Sequence, residues 1–308
     1  MKIDLLGEVI REKRIALGLT QSKLSDGICE PITISRLENG TQVPSFSKLQ
    51  RIFQKLDLPE SRYHVMLTTE EIEIEELQKR IVSCNVRKDP QEGIELLNQL
   101  KKLDVSKEAY IQQFILRSRV ILGEAEPDGT IHPYPLPQQL EMLMDALRLT
   151  SPEIDLEELN KYRYTVDEAK VINQIANVYS NMGEYKKAAD IYYQLLKYVK
   201  KNFRNITQSG GLLPLVSFNY ARTLDLLGHY QDAIELAKEG QDACIKFGSY
   251  STLPGDLGII AECYHRLGDN EQSCEYYRQA YYAHLVLKQF YEAEKTKKEA
   301  KEYLNLDL

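Results

Sequence analysis

Long hydrophobic runs are missing from this 308-residue chain: none approaches the ~18 residues a membrane-spanning helix needs. The opening segment, "MKIDLLGEVIREKR", is broken by charge and is no secretory signal. Membrane insertion and export are therefore not expected, and the cytoplasm is the expected location. Cysteine is sparse too: Cys29, Cys84, Cys244, Cys263 and Cys274 form no C-x-x-C pair, and no histidine stands at ligand spacing from them. That argues against a disulfide scaffold and a zinc site, and predicts reduced, partly buried thiols. Phosphate-cradling and catalytic patterns are lacking as well: no G-x-x-x-x-G-K-[ST], G-x-G-x-x-G, H-E-x-x-H or G-x-S-x-G occurs. The five histidines are scattered, and acidic pairs such as Glu157-Glu158 lie on helix-rich, solvated stretches. No enzyme is expected, with no catalytic residue, no metal and no cofactor.

What is present is helix-forming. Hydrophobic residues make up 43% of the chain, enough for a core, and charged residues 28%, which suits solvated helices. The length fits two domains. The net charge of −7 is unevenly spread. Residues 1–67 carry ten Lys/Arg against eight Asp/Glu, which leaves 29 against 38 for residues 68–308. An acidic body repels nucleic acid, so any DNA contact belongs to the N-terminal part.

In that part, Leu5, Leu6, Val9, Ile10 and Leu17 recur at helical spacing up to a stop at Gly18. Thr20 predicts the N-cap of a second helix, with Leu24 inward and Ser25 small enough for close helix approach. Pro31 suits the first turn of a third helix, where its missing N–H is not needed. There Ile34 and Leu37 face inward while Thr33 and Arg36 face outward; Gly40 ends the helix. Pro44-Ser45 opens a fourth, with Phe46, Leu49, Ile52, Phe53 and Leu56 on one face. The string "LTQSKLS…ITISRLENGTQVPSFSKLQRIFQKL" resembles the helix-turn-helix of the XRE/Cro repressor class, in a five-helix domain over residues 1–67. Its link from Leu24 to Ile34 is one residue shorter than the commonest form, as in peptide-pheromone regulators of the PlcR and Rgg types. A third helix of this kind enters the major groove N-terminal end first. That assigns base contacts to Thr33 and Arg36, with Pro31 and Ile32 as apolar neighbours of thymine methyls. Gln21 resembles the residue that touches backbone or base at the start of the second helix. Ser35, Asn39, Thr41 and Lys48 are the expected phosphate contacts. The competing arrangement pairs Arg36 with Glu38 or Glu30 and removes it from the groove.

From Glu70 onward the chain reads as helices, the first of them a connector over residues 68–80. Three later lines superimpose: "QIANVYSNMGEYKKAADIYYQLL", "NYARTLDLLGHYQDAIELAKEG" and "IIAECYHRLGDNEQSCEYYRQA". Each has a small residue (Ala176, Ala221, Ala261), a large one three later, a glycine (Gly183, Gly228, Gly268) and another small residue five further on (Ala188, Ala233, Ser273). The glycine closes one helix and the small residues let a hairpin pack. These lines resemble degenerate tetratricopeptide repeats, two weaker units precede them, residues 126–137 form a Pro/Gly loop between the helices of the second, and a helix over 289–305 caps the stack. The expected fold is all-α: the helix-turn-helix domain, then an α-solenoid of about five hairpins over residues 81–308. On such a solenoid the first helix of each repeat lines a concave groove, here through Asn173, Asn177, Phe218, Arg222, Asp225, Glu262 and His265. The "ANVY" context of Asn177 and the "FNYA" context of Asn219 resemble those with which PlcR-type regulators hold a peptide backbone, and that resemblance adds Asn219 to the set.

The whole arrangement resembles the RRNPP group of peptide-pheromone receptors of Gram-positive bacteria, PlcR type. The resemblance implies a homodimeric transcription regulator bound to a palindromic double-stranded DNA operator and switched by a short signalling peptide in the solenoid groove. Two other readings stay open. The repeats hold a protein partner instead of a peptide, or the chain is a scaffold whose head no longer binds DNA.

Overall fold

The computed structural model describes residues 3–58, 69–87, 89–126, 130–203 and 211–308. Fifteen α-helices lie among them. The chain divides into two compact units, Met1–Val178 with Asn205–Thr207, and Tyr179–Arg204 with Gln208–Leu308. The expected domain boundary at residue 67 falls outside the described residues, as does any fifth helix of the head between residues 59 and 68.

The first unit begins with four helices: α1 (Ile3–Ala16), α2 (Gln21–Ser25), α3 (Pro31–Glu38) and α4 (Phe46–Leu56). The apolar spacing read from the sequence builds their core. Leu6, Ile10, Leu24, Ile34, Leu37, Leu49, Ile52, Phe53 and Leu56 are all buried in one cluster, and Ile28 joins them from the link. Thr20 caps α2, its Oγ1 accepting the Lys23 N–H at 3.1 Å. Pro31 is the first residue of α3, with Glu30 at the N-cap. Close backbone approach constrains Gly7: a Cβ there would lie 2.3 Å from the Leu37 carbonyl oxygen. Next come two hairpins, α5 (Thr69–Arg87) with α6 (Pro90–Lys102), and α7 (Ala109–Leu122) with α8 (Leu136–Arg148). The loop between α7 and α8 holds a two-residue antiparallel pairing, Glu124 opposite His132 and Ala125 opposite Ile131, which the Pro/Gly composition did not predict.

Within this unit the helix-turn-helix head rests on later segments of the chain. Arg51 of α4 pairs with Asp167 of α9 (Val166–Asn181) at 2.9 Å. The Gln54 Oε1 accepts the Val166 N–H at 3.1 Å, Lys48 pairs with Glu108 at 2.8 Å, and Lys23 pairs with Glu153. Gly27, in the short link, has φ +68°, and a Cβ there would lie 2.3 Å from the Thr150 Cα. Only glycine satisfies both the turn and that approach.

The second unit holds α10 (Tyr185–Asn202), α11 (Leu212–Leu226), α12 (Tyr230–Phe247), α13 (Leu253–Arg266), α14 (Asn270–Val286) and α15 (Phe290–Leu304). The repeat pattern does here what the sequence requires of it. Gly183, Gly228 and Gly268 turn the chain at φ 84°, 81° and 84°. Ala221, Ala233, Ala261 and Ser273 are completely buried where α11 meets α12 and α13 meets α14, and Ala188 on α10 is completely buried as well. Ser273 also donates its hydroxyl to the Ala261 carbonyl at 2.7 Å, so its polar atom is satisfied inside the packing. At the end of the chain Tyr303, Leu304, Leu306 and Leu308 fold against Ala261, Tyr277 and Ala300, closing the last repeat with α15 and its tail.

Candidate DNA and peptide interfaces

The outer face of α3 is built by what its inner face buries. Ile34, Leu37 and Glu38 point inward, and residues three and four apart share a helix face. Burial alone pushes the Glu38 carboxyl up. Arg14 and Gln21 more than offset this: Arg14 donates through Nε and Nη2 at 2.5 and 2.9 Å, and Gln21 donates through Nε2 at 2.8 Å. The carboxyl is thereby held below its ordinary range. Arg14 also donates to the Leu19 carbonyl at 2.8 Å, so one guanidinium ties α1 to both α3 and the turn before α2. With Glu38 engaged, Arg36 stays on the exposed side and makes a hydrogen bond of 3.3 Å to Gln42. Pro31, Ile32 and Asn39 are exposed beside it, Ile32 at 55%, and Thr33 and Ser35 are half-buried. An apolar side chain so open at the start of a helix has no packing role within the unit. Thr41, also exposed, donates to the Arg36 carbonyl at 3.0 Å and fixes the exit of α3.

Two of the expected DNA contacts are placed differently. The amide nitrogen of Gln21 turns inward to Glu38, because that buried carboxylate needs a third donor. The ammonium of Lys48 is engaged by Glu108 of the same unit and does not stand free with the α3 group.

The expected peptide contacts divide between the units. In the first, Asn177 is half-buried on α9, while Asn173 is only 4% exposed and belongs to the packed side of that helix. In the second, Arg222 is exposed on α11 and Phe218 is half-buried, its ring seated over Gly255. Asn219 is buried, off the register of the exposed face. Asp225 accepts the Cys263 thiol at 3.3 Å. Burial, then repulsion from Glu262, pushes the Asp225 carboxyl up to about 6. Glu262 itself is bonded by Arg266 at 3.3 Å. His265 is a packing residue: its ring stacks on Tyr303 at 5.2 Å and its Nδ1 lies 3.3 Å from the Asn270 Oδ1. Asn177, Arg222, Asp225 and Glu262 therefore remain the partly open polar positions.

Sequence reading passed over Asp256. It is fully buried on α13, and neither carboxylate oxygen has a hydrogen-bond partner among the described residues. The signal was its position inside the apolar run "LPGDLGII". The five cysteines are free thiols, with Cys84, Cys244 and Cys263 buried. Among the described residues no helix is long and apolar enough to cross a membrane.

Residues 10–62 match the helix-turn-helix family, and residues 171–206 and 257–283 match the tetratricopeptide repeat. The chain is thus an all-α protein in which a helix-turn-helix precedes tetratricopeptide-like hairpins. Its fold is that of Bacillus thuringiensis PlcR and Streptococcus vestibularis ComR. PlcR, solved in complex with the peptide PapR7 and DNA, aligns over 95% of this chain and 99% of its own, at 22% identity and a TM-score of 0.60. The apo form of the competence regulator ComR aligns over 99% of both chains at 17% identity and a TM-score of 0.57. ComR in complex with its cognate signalling peptide XIP gives 16% and 0.54 over 98% of this chain and 99% of that one. No curated protein sequence matches.

Proposed function

We propose that this chain is an RRNPP-type transcription regulator. It binds an operator through α3 as a homodimer, and a short signalling peptide held by the repeats switches it. The observation that carries the reading is the face of α3. Arg36 stands exposed beside Pro31 and Ile32 at the leading end of the helix, while Glu38, which would have neutralised it, is buried on Arg14 and Gln21. Guanidinium can then meet guanine O6 and N7 in two hydrogen bonds, and Ile32 can meet a thymine methyl. Asn39 and Thr41, at the end of the same helix, suit phosphate contacts that set register without reading sequence. PlcR, crystallised with both a peptide and DNA, and ComR, crystallised with its signalling peptide, lend the peptide half of the proposal. On the repeats, Asn177 offers an amide that both donates to and accepts from an extended backbone. The proposed chemistry is recognition, with no catalytic step.

The test is operator selection with the full-length protein, then binding by Arg36→Ala and Asn177→Ala. Arg36→Ala is expected to cost about 1–3 kcal/mol of discrimination at one base pair. Binding to unrelated DNA should change little. Asn177→Ala is expected to weaken a peptide identified by its effect on operator binding, with unfolding nearly unchanged. Unaltered operator specificity in the first variant removes α3 as the reading helix; unaltered peptide affinity in the second removes α9 from the peptide site.

A further inference from the structure

A cluster of charge inside the first unit draws on three helices far apart in the sequence. Asp167, near the start of α9, receives Arg51 of α4 at 2.9 Å and Lys170 of its own helix at 3.2 Å. Arg117 of α7 is the third cation near it. Burial pushes the Asp167 carboxyl up, but Lys170, Arg51 and Arg117 together hold it far below its usual range. Three positive groups thus surround one negative group. The Arg51 guanidinium lies over the Tyr110 ring, 4.3 Å from its centroid, which fixes its plane. The Nε atoms of both Arg51 and Arg117 are buried without an acceptor among the described residues. A guanidinium does not shed its proton to escape burial. A buried cation without full compensation destabilises the fold, and a second anion would remove that cost. Lys170 is a third exposed, so the cluster is open to solvent on one side.

We infer that Arg51, Arg117 and Lys170 form a binding site for a small oxyanion, a carboxylate or phosphate group. Two guanidinium forks and an ammonium are the donor set such a group takes in charge-assisted hydrogen bonds. An oxyanion there draws its donors from α4, α7 and α9. Its binding therefore stabilises the packing of the head on the hairpins of the same unit. A free phosphate ion and the carboxylate of a peptide present the same chemistry, so the site does not depend on a peptide being the regulating ligand.

The test is thermal unfolding of the full-length protein against sodium phosphate and against sodium acetate, with ionic strength held constant by sodium chloride. Phosphate also stabilises proteins through exclusion from their surface, an effect that rises without saturating. A bound ion adds a saturating component. That component is expected in the wild type and should be about tenfold or more weaker in Arg117→Leu and in Lys170→Gln. Lys170→Gln leaves the Arg51–Asp167 pair intact and reports even where Arg117→Leu fails to fold. Saturation by phosphate alone supports the site and assigns it to phosphate. Saturation by acetate supports it and assigns it to carboxylates, a peptide's among them. No saturation by either anion, or equal saturation in the wild type and Lys170→Gln, overturns the inference.

Discussion

Two buried carboxylates, one in each unit, have opposite fates. Glu38 in the head is met by Arg14 from α1 and Gln21 from α2, and these donors hold its carboxyl below its ordinary range. Asp256 on α13 is buried just as deeply, lies beside Gly240, and finds no donor among the described residues; burial pushes its carboxyl up to about 8. The first makes three helix segments depend on one ion pair, and so makes the presentation of α3 a property of the whole head. The second leaves a titratable group in the repeats, whose comfort depends on pH. A buried acid is therefore a structural tie or a weak point according to its partners alone.

The largest way to break the contrast is to take away the partner. Arg14→Leu leaves Glu38 buried and alone, and should cost about 3–5 kcal/mol, measured as a drop in the denaturant midpoint at neutral pH. The double variant Arg14→Leu, Glu38→Leu should recover much of that loss. The second test works on Asp256. Its folded-state pKa lies above its unfolded one, so the folded chain holds the proton to higher pH. Stability from this group is complete below about pH 4 and is lost as pH rises towards about 8. Asp256→Asn, which mimics the protonated acid, should change little at pH 4 and stabilise by several kcal/mol near pH 8, growing by about 1.4 kcal/mol per pH unit between them, read from thermal melts at the two pH values. An equal shift at both would show that Asp256 does not titrate in this range. The smallest test uses a neutral group that is fully satisfied. Ser273→Ala removes the donor to the Ala261 carbonyl and should cost about 1 kcal/mol, independent of pH.

Much of this fold was legible because it is written in local spacing. Thr20 announced the cap of α2, and Ala233 and Ser273 announced the hairpin contacts of the repeats. The inward turn of Glu38 was legible as well, since Ile34, Leu37 and Glu38 share one helix face. Weighing Glu38 as a partner for Arg36 overlooked that period. What local spacing does not carry is the long-range pairing. Lys48 with Glu108 and Arg51 with Asp167 join residues 60 and 116 positions apart. Nothing in either neighbourhood marks the other, so a lysine suited to phosphate by its place in the head turned out to hold a glutamate. The groove residues fared unevenly for a related reason. Repeat register assigns a face to within one position, and Asn173 and Asn219 fall on the buried side of that margin. His265 was offset differently, by a ring from the capping helix that no repeat pattern contains.

The shortened link of the helix-turn-helix has one more consequence, at Gly27. Two unrelated demands select the same residue there: a left-handed turn inside the head, and a Thr150 backbone too near for any side chain. Relieving either demand leaves the other in force. In a randomised library, position 27 should therefore return one letter, and no second-site change confined to the head should widen that choice.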